Sequence, residues 1–317
     1  MENTISTGSS LFSYQFMESW EKMPSGYSWN ETVGVIADNQ DHIYVFNRGP
    51  HPIMVFDNEG NFLSSWGEDI FSRPHGISLG PDNTIYCTDD GDHTIRQCTL
   101  DGKVLLTIGT PNSPATQFSG NPFNRCTHTA TNPDNGNIFV TDGYKNSRIH
   151  KYSPDGTLIN SWGTSGTDEG EFNIVHNIAI DKSGYLYVCD RENHRIQIFD
   201  QNGVFQTLWS NLHRPCAIFI DKDDTIYVGE LGFGTPISRD VPNIGPRISI
   251  LDKNGKILAR LGDMGYGSKL GQFIAPHGIC LDSKKNIFVA EVARTNMKLN
   301  NDPEENVRSF QKLKKIV

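Results

Sequence analysis

The sequence predicts an all-β chain folded as a six-bladed β-propeller, and three observations predict it. A unit of four short β-rich runs, separated by Asp, Asn and Gly turns, recurs six times along the 317 residues, and such repetition is the mark of a radial array of small sheets. Three histidines occupy one slot of that unit at equal intervals of 101 residues, in Phe71-Ser-Arg-Pro-His75-Gly-Ile, Phe172-Asn-Ile-Val-His176-Asn-Ile and Phe273-Ile-Ala-Pro-His277-Gly-Ile. The last unit lacks a fourth run, and the segment ahead of the first unit supplies a matching one.

The units begin near Val33, His75, Thr127, His176, Cys216 and His277, and most have an Ile-Tyr-Val or Ile-Phe-Val run second, at Ile43, Ile138, Ile226 and Ile287, with the variant Ile-Tyr-Cys at Ile85. The fullest copy runs from His176 through Gly184-Tyr-Leu-Tyr-Val-Cys-Asp190 and Arg191-Glu-Asn-His-Arg-Ile-Gln-Ile-Phe-Asp200 to Gly203-Val-Phe-Gln-Thr-Leu-Trp209. In the sixth, a first strand after His277, a second at Asn286 to Ala290 and a third near Val307 to Leu313 leave one place open. Ser13-Tyr-Gln-Phe-Met-Glu-Ser-Trp20 resembles the fourth runs ending at Trp66 and Trp162, so the N-terminal strand is expected to close the last blade and hide two strand edges. The repeats leave no Pro/Ser-rich linker, and residues 1–317 are expected to form a single domain.

Composition narrows the function. A net charge of −9 with no basic tract beyond Lys312-Leu-Lys-Lys315 argues against a nucleic-acid partner, whose phosphates demand clustered cations. No run approaches the roughly 18 apolar residues of a membrane span, and Met1-Glu-Asn-Thr-Ile-Ser has neither a basic start nor an apolar stretch, so a cytoplasmic location is expected, with no membrane partner. Six scattered cysteines (Cys87, Cys98, Cys126, Cys189, Cys216, Cys280) read as buried free thiols.

The histidine spacing carries the chemistry. Residues two blades apart in a six-bladed ring are a third of a turn apart, so His75, His176 and His277 converge on the axis as an open metal site. First-strand starts and second-strand ends meet at one mouth of a propeller, which adds Arg48, Tyr144 and Arg191 to its wall. The excursions Thr110–Phe123, Leu231–Gly245 and Gly262–Gln272 leave from the same face. Three neutral imidazoles leave a fourth position on zinc, or on another divalent metal such as iron, for water or substrate. Arginine forks match a carboxylate, so a small carboxylate-bearing substrate is expected. The acids after the second strands (Asp90, Asp142, Asp190, Glu230, Glu291) recur too regularly to be general acids and read as turn formers.

Asp190-Arg-Glu-Asn-His194-Arg-Ile-Gln-Ile-Phe resembles the NHL-repeat propellers over nearly the whole chain. Val45-Phe-Asn-Arg48-Gly, Pro74-His75-Gly, Val140-Thr-Asp-Gly-Tyr144-Lys-Asn-Ser-Arg-Ile, Phe172-x-x-x-His176 and Asp190-Arg191-Glu-Asn resemble, more narrowly, the peptidyl-α-hydroxyglycine α-amidating lyases. That resemblance implies zinc on the three histidines and a catalytic set of Tyr144, Arg48 and Arg191. It implies a lyase that cleaves the C–N bond of a carbinolamide, an N-acyl-α-hydroxyglycine, to an amide and glyoxylate. The family's Met-Pro-His-Asp is Ala275-Pro276-His277-Gly278 here, without its calcium-binding aspartate, and Lys145, Tyr187 and Ile198 stand where it has disulfide cysteines. A metal-dependent hydrolase or hydratase on another small acid, a non-catalytic NHL binding platform, and a calcium lactonase with acidic channel ligands are the competing expectations.

Overall fold

Each repeat folds as a small sheet because β-branched and aromatic residues at strand spacing are bounded by residues that turn the chain. In the computed structural model, which describes residues 5–9, 11–262, 265–303 and 307–316, the repeats form six antiparallel sheets around one axis. Blade one comprises Thr32–Ala37, Ile43–Asn47, Ile53–Phe56 and Phe62–Trp66. Blade two runs from Pro74–Leu79 to Val104–Ile108, blade three from His128–Thr131 to Leu158–Trp162, blade four from Val175–Ile180 to Phe205–Trp209, and blade five from Pro215–Ile220 to Ile257–Leu261. The first strands touch their neighbours in a closed cycle, blade six returning to blade one, and so line the axis. Among the described residues no helix is long and apolar enough to cross a membrane.

Burial follows position in the blade. Second strands are sandwiched between neighbouring blades and are buried throughout, as in Ile43–Asn47 and Leu186–Asp190, whereas fourth strands such as Leu158–Trp162 face solvent. One contact repeats around the ring. Trp66, Trp162 and Trp209 end their fourth strands against Gly102, Gly203 and Gly255, in the last hairpin of the following blade. A Cβ on those glycines would lie 2.7, 2.6 and 2.6 Å from the indoles, and each has positive φ, so both room and backbone conformation demand glycine.

The last blade is completed from the N-terminus. Pro276–Leu281, Ile287–Glu291 and Phe310–Lys315 are joined by Phe12–Phe16, with Tyr14 opposite Lys315 and Phe16 opposite Leu313. Two details differ from expectation. The closing strand stops at Phe16, and Ile5–Ser9 folds back outside it as a fifth strand. Trp20 lies beyond the strand, yet it fills the tryptophan role of the repeat: it covers Gly60 of blade one and donates from Nε1 to the Asn58 carbonyl at 2.8 Å. The third strand starts at Phe310 rather than near Val307, and a helix, Ala293–Leu299, lies in the connection before it, with Ala293 and Met297 packed beside Leu231 and Val292.

Candidate metal centre and the mouth above it

A break in the strand ladder turns a residue toward the axis. The pairing of first to second strand slips between Pro74 and Gly76, between Val175 and Ile178, and between Pro276 and Gly278. Each bulge takes one histidine out of the ladder and re-aims its ring inward. Gly76 and Gly278 then let the neighbouring first strand come close: a Cβ would lie 2.4 Å from the Thr127 carbonyl oxygen at Gly76 and 2.7 Å from Gly34 Cα at Gly278.

His75, His176 and His277 form a near-equilateral cluster, with ring centroids 5.0, 4.7 and 4.7 Å apart. Their candidate ligand atoms all lie within 4.8 Å of one another, and the three residues are buried. Each Nδ1 meets a backbone carbonyl of the next blade: Thr127 at 2.7 Å, Cys216 at 2.7 Å and Val33 at 2.6 Å. A carbonyl only accepts, so each Nδ1 carries the proton and each Nε2 keeps its lone pair, the outer support typical of metal-binding imidazoles. All six repeat-start positions therefore build the centre, three through imidazoles and three through carbonyls. Protonation does not compete. Burial, followed by the His277, His176 and Arg48 charges, holds His75 well below the usual imidazole range; burial and then Arg191 do the same at His176, and burial pushes His277 down to about 3. A divalent cation fits this donor set.

Tyr144 stands over the cluster. Its Oη lies 3.0 Å from His75 Nε2 and 3.4 Å from His176 Nε2. Arg191 lies 5.7 Å from the centre of the Tyr144 ring. Burial works against its charge, but Tyr144, Cys216 and Glu192 outweigh that and raise its pKa. Arg48 donates from Nε to the Pro74 carbonyl at 2.9 Å and from Nη1 to Glu31 at 2.7 Å, beside His75. Arg48 and Arg191 hold the same repeat position, next after the last residue of the second strand, in blades one and four. They therefore face the axis from opposite walls.

Comparison with known proteins can now be set against this geometry. The NHL repeat family matches residues 172–199, in blade four. The chain is 34% identical over 200 residues to peptidyl-alpha-hydroxyglycine alpha-amidating lyase 1 of Drosophila melanogaster, covering 58% of this chain and 36% of that protein. It is 30% identical over 211 residues to human NHL repeat-containing protein 3, covering 62% and 60%. The molecule is a six-bladed propeller that carries an NHL repeat and resembles the amidating lyases. The aligned stretch spans less than two thirds of either relative's length. Among solved structures, a streptogramin B lyase superposes with a TM-score of 0.62 over 94% of this chain and 99% of that one, at 14% identity, a likeness of fold alone.

The sixfold repeat also shows what sequence reading missed. Asn47, Asp89, Asp142, Asp190, Glu230 and Glu291 each end a second strand and accept backbone N–H groups from the loop that leads into the first strand, as at Asn30, Ser72, Asn124, Asn173, His213 and Ile274. Asn47 and the five acids clamp the loop to the strand, where the acids were expected to form turns, and in blade two the clamp is Asp89 rather than Asp90. Asp90 sits in the slot of Arg48 and Arg191 and pairs with Arg73 and Arg125. Arg125 lies 4.6 Å from the centre of the Tyr144 ring, and Arg214 pairs with Glu192, which also accepts from Arg191. Arg73, Arg125 and Arg214 all stand two residues before a repeat start, at His75, Thr127 and Cys216. Aligning the repeats would have found them. All six cysteines are free and buried, as expected.

Proposed function

We propose that the protein is a metal-dependent lyase that cleaves the C–N bond of an N-acyl-α-hydroxyglycine-like carbinolamide to an amide and glyoxylate. One observation carries the reading: three carbonyl-locked imidazoles gather their unprotonated Nε2 atoms beneath the Tyr144 hydroxyl. The names of the amidating-lyase relatives support it. A divalent cation, with zinc the best match to three neutral imidazoles and iron the alternative, would supply Lewis acidity at the substrate's hydroxyl oxygen.

The chain's own groups do the rest. Arg48 and Arg191 receive the small substrate's carboxylate from opposite walls, which fixes the carbinol carbon over the centre. Tyr144, reacting as the phenolate, accepts the hydroxyl proton. The O–H electron pair becomes the new C=O bond, the C–N pair leaves on nitrogen, and the proton passes from Tyr144 to that nitrogen, so the phenolate is regenerated. Glu31 steadies Arg48 through Nη1 and is itself held by the Thr295 amide at 2.6 Å, which ties the helix Ala293–Leu299 to the mouth. Six free thiols support a reducing, cytoplasmic setting. The test is glyoxylate release from N-acetyl-α-hydroxyglycine by zinc-loaded protein. Release that requires the metal is expected, and its absence from fully metallated protein would overturn the reading.

A further inference from the structure

A groove of about 240 Å³ opens beside Tyr144 between blades three and four, lined by Phe118, Tyr144, Ser165, Phe172 and Ile174 among others. Both walls hang from the turns that carry the proposed catalytic residues. One wall is the excursion after blade two. Its Phe118 amide donates to the Lys145 carbonyl at 2.8 Å, its Gly120 amide donates to Asn146 at 2.9 Å, and Asn146 donates to the blade-three clamp Asp142 at 2.7 Å. The other wall contains Gly166, whose carbonyl accepts from Asn193 at 2.8 Å, and Asn193 also donates to the blade-four clamp Asp190 at 2.8 Å. The groove is thus fixed in register with Tyr144 on one side and Arg191 on the other.

Its chemistry differs from the rest of the mouth. Arg48, Arg125, Arg191 and Arg214 surround the centre, yet no ionisable side chain other than Tyr144 lines the groove among the described residues. Phe118 is 55% exposed despite its size, an aromatic surface held open over the cavity by backbone bonds rather than packed away. At about 30 Å³ per water, the volume has room for a ring or a branched side chain.

We propose that this groove is the acyl subsite, selecting substrates that carry an aromatic or branched apolar group on the carbonyl side of the scissile C–N bond. The proposal rests on the lyase reading for its orientation: with the carboxylate on the arginines, the acylated nitrogen leaves past Tyr144 into a groove whose described lining carries no charge. Phe118 is the specificity determinant, giving the ring a face to stack on.

The experiment separates the subsite from the reaction. Zinc-loaded protein is given N-benzoyl- and N-acetyl-α-hydroxyglycine and glyoxylate is followed; in parallel, binding of the inert pair N-benzoylglycine and N-acetylglycine is measured by calorimetry. The benzoyl member is expected to be favoured about tenfold or more in kcat/KM and in affinity. In Phe118→Ala that ratio should fall toward one, and Ser165→Trp, which fills the groove from its other wall, should do the same. Equal treatment of the two acyl groups by the wild type, or a preference that survives both substitutions, overturns the subsite. Selective binding of the inert pair without any glyoxylate leaves the subsite standing and removes the lyase. Glyoxylate from both substrates at equal efficiency does the reverse.

Discussion

A single imbalance at the centre should be visible in metal content. In His176→Ala two imidazoles remain, and the Cys216 carbonyl that fixed the third loses its donor. The protein should keep its propeller, since no blade is built on that ring, but hold little metal; elemental analysis alongside circular dichroism measures both, and a fully metallated variant would contradict the site. Tyr144→Phe should leave the metal in place and lower kcat by about 10² to 10⁴, the usual cost of a lost general base. Arg191→Lys should also raise KM, because an ammonium cannot present the planar fork. Steady-state kinetics on N-acetyl-α-hydroxyglycine distinguish the two patterns. That the three histidines converge, with Tyr144, Arg48 and Arg191 beside them, was legible in the sequence because the place of each in the repeat fixes where it lies. The carbonyls of Thr127, Cys216 and Val33 were not, since a backbone atom leaves no mark on residue type. Nor was Phe118, whose exposure depends on how the Thr110–Phe123 excursion folds back onto Lys145.

At the scale of the element, the clamp acids link strand to loop, and Glu291 shows what deep burial does to one. It accepts from the Ile274 and Ala275 amides and from Gln311, yet desolvation outweighs these bonds and raises its carboxyl to about 7. The unfolded carboxyl ionises near 4.5, so the stability conferred by burying the neutral acid is complete below that pH and is lost as pH rises through 7. A melting temperature that falls between pH 4.5 and 7 in the wild type should fall less in Glu291→Gln, which has no proton to lose; identical slopes in calorimetry would assign the effect elsewhere. The strands were legible as β-rich runs between turn residues. The helix Ala293–Leu299 was not: its seven residues fill a connection that the repeat leaves free, and only Ala293 and Met297, one turn apart, hint at a buried face. The same freedom hid the Asp89 clamp, because Asp89 and Asp90 are chemically alike and only the strand register tells them apart.

For the whole molecule the decisive bond is closure. A ring of sheets loses its two open edges only when the last blade is complete, and here completion depends on residues some 300 positions from their partners, Phe12–Phe16 against Phe310–Lys315. The segment also brings Tyr14 and Phe16 into the core, and Trp20 wedges between blades six and one against Phe56, Phe288 and Phe310. Burying each such side chain contributes about 1.5 to 3 kcal/mol. Removing all three is therefore comparable with the ~5–15 kcal/mol that separates folded from unfolded states. Deleting residues 1–20 should lower the melting temperature of the entire ring in one cooperative transition, because blades six and one share the lost wedge and every other blade leans on its neighbours. Trp20→Ala alone should produce a smaller shift of the same kind. Calorimetry of both proteins checks this, and a truncated chain that melts like the wild type would show that the ring closes without its N-terminal strands.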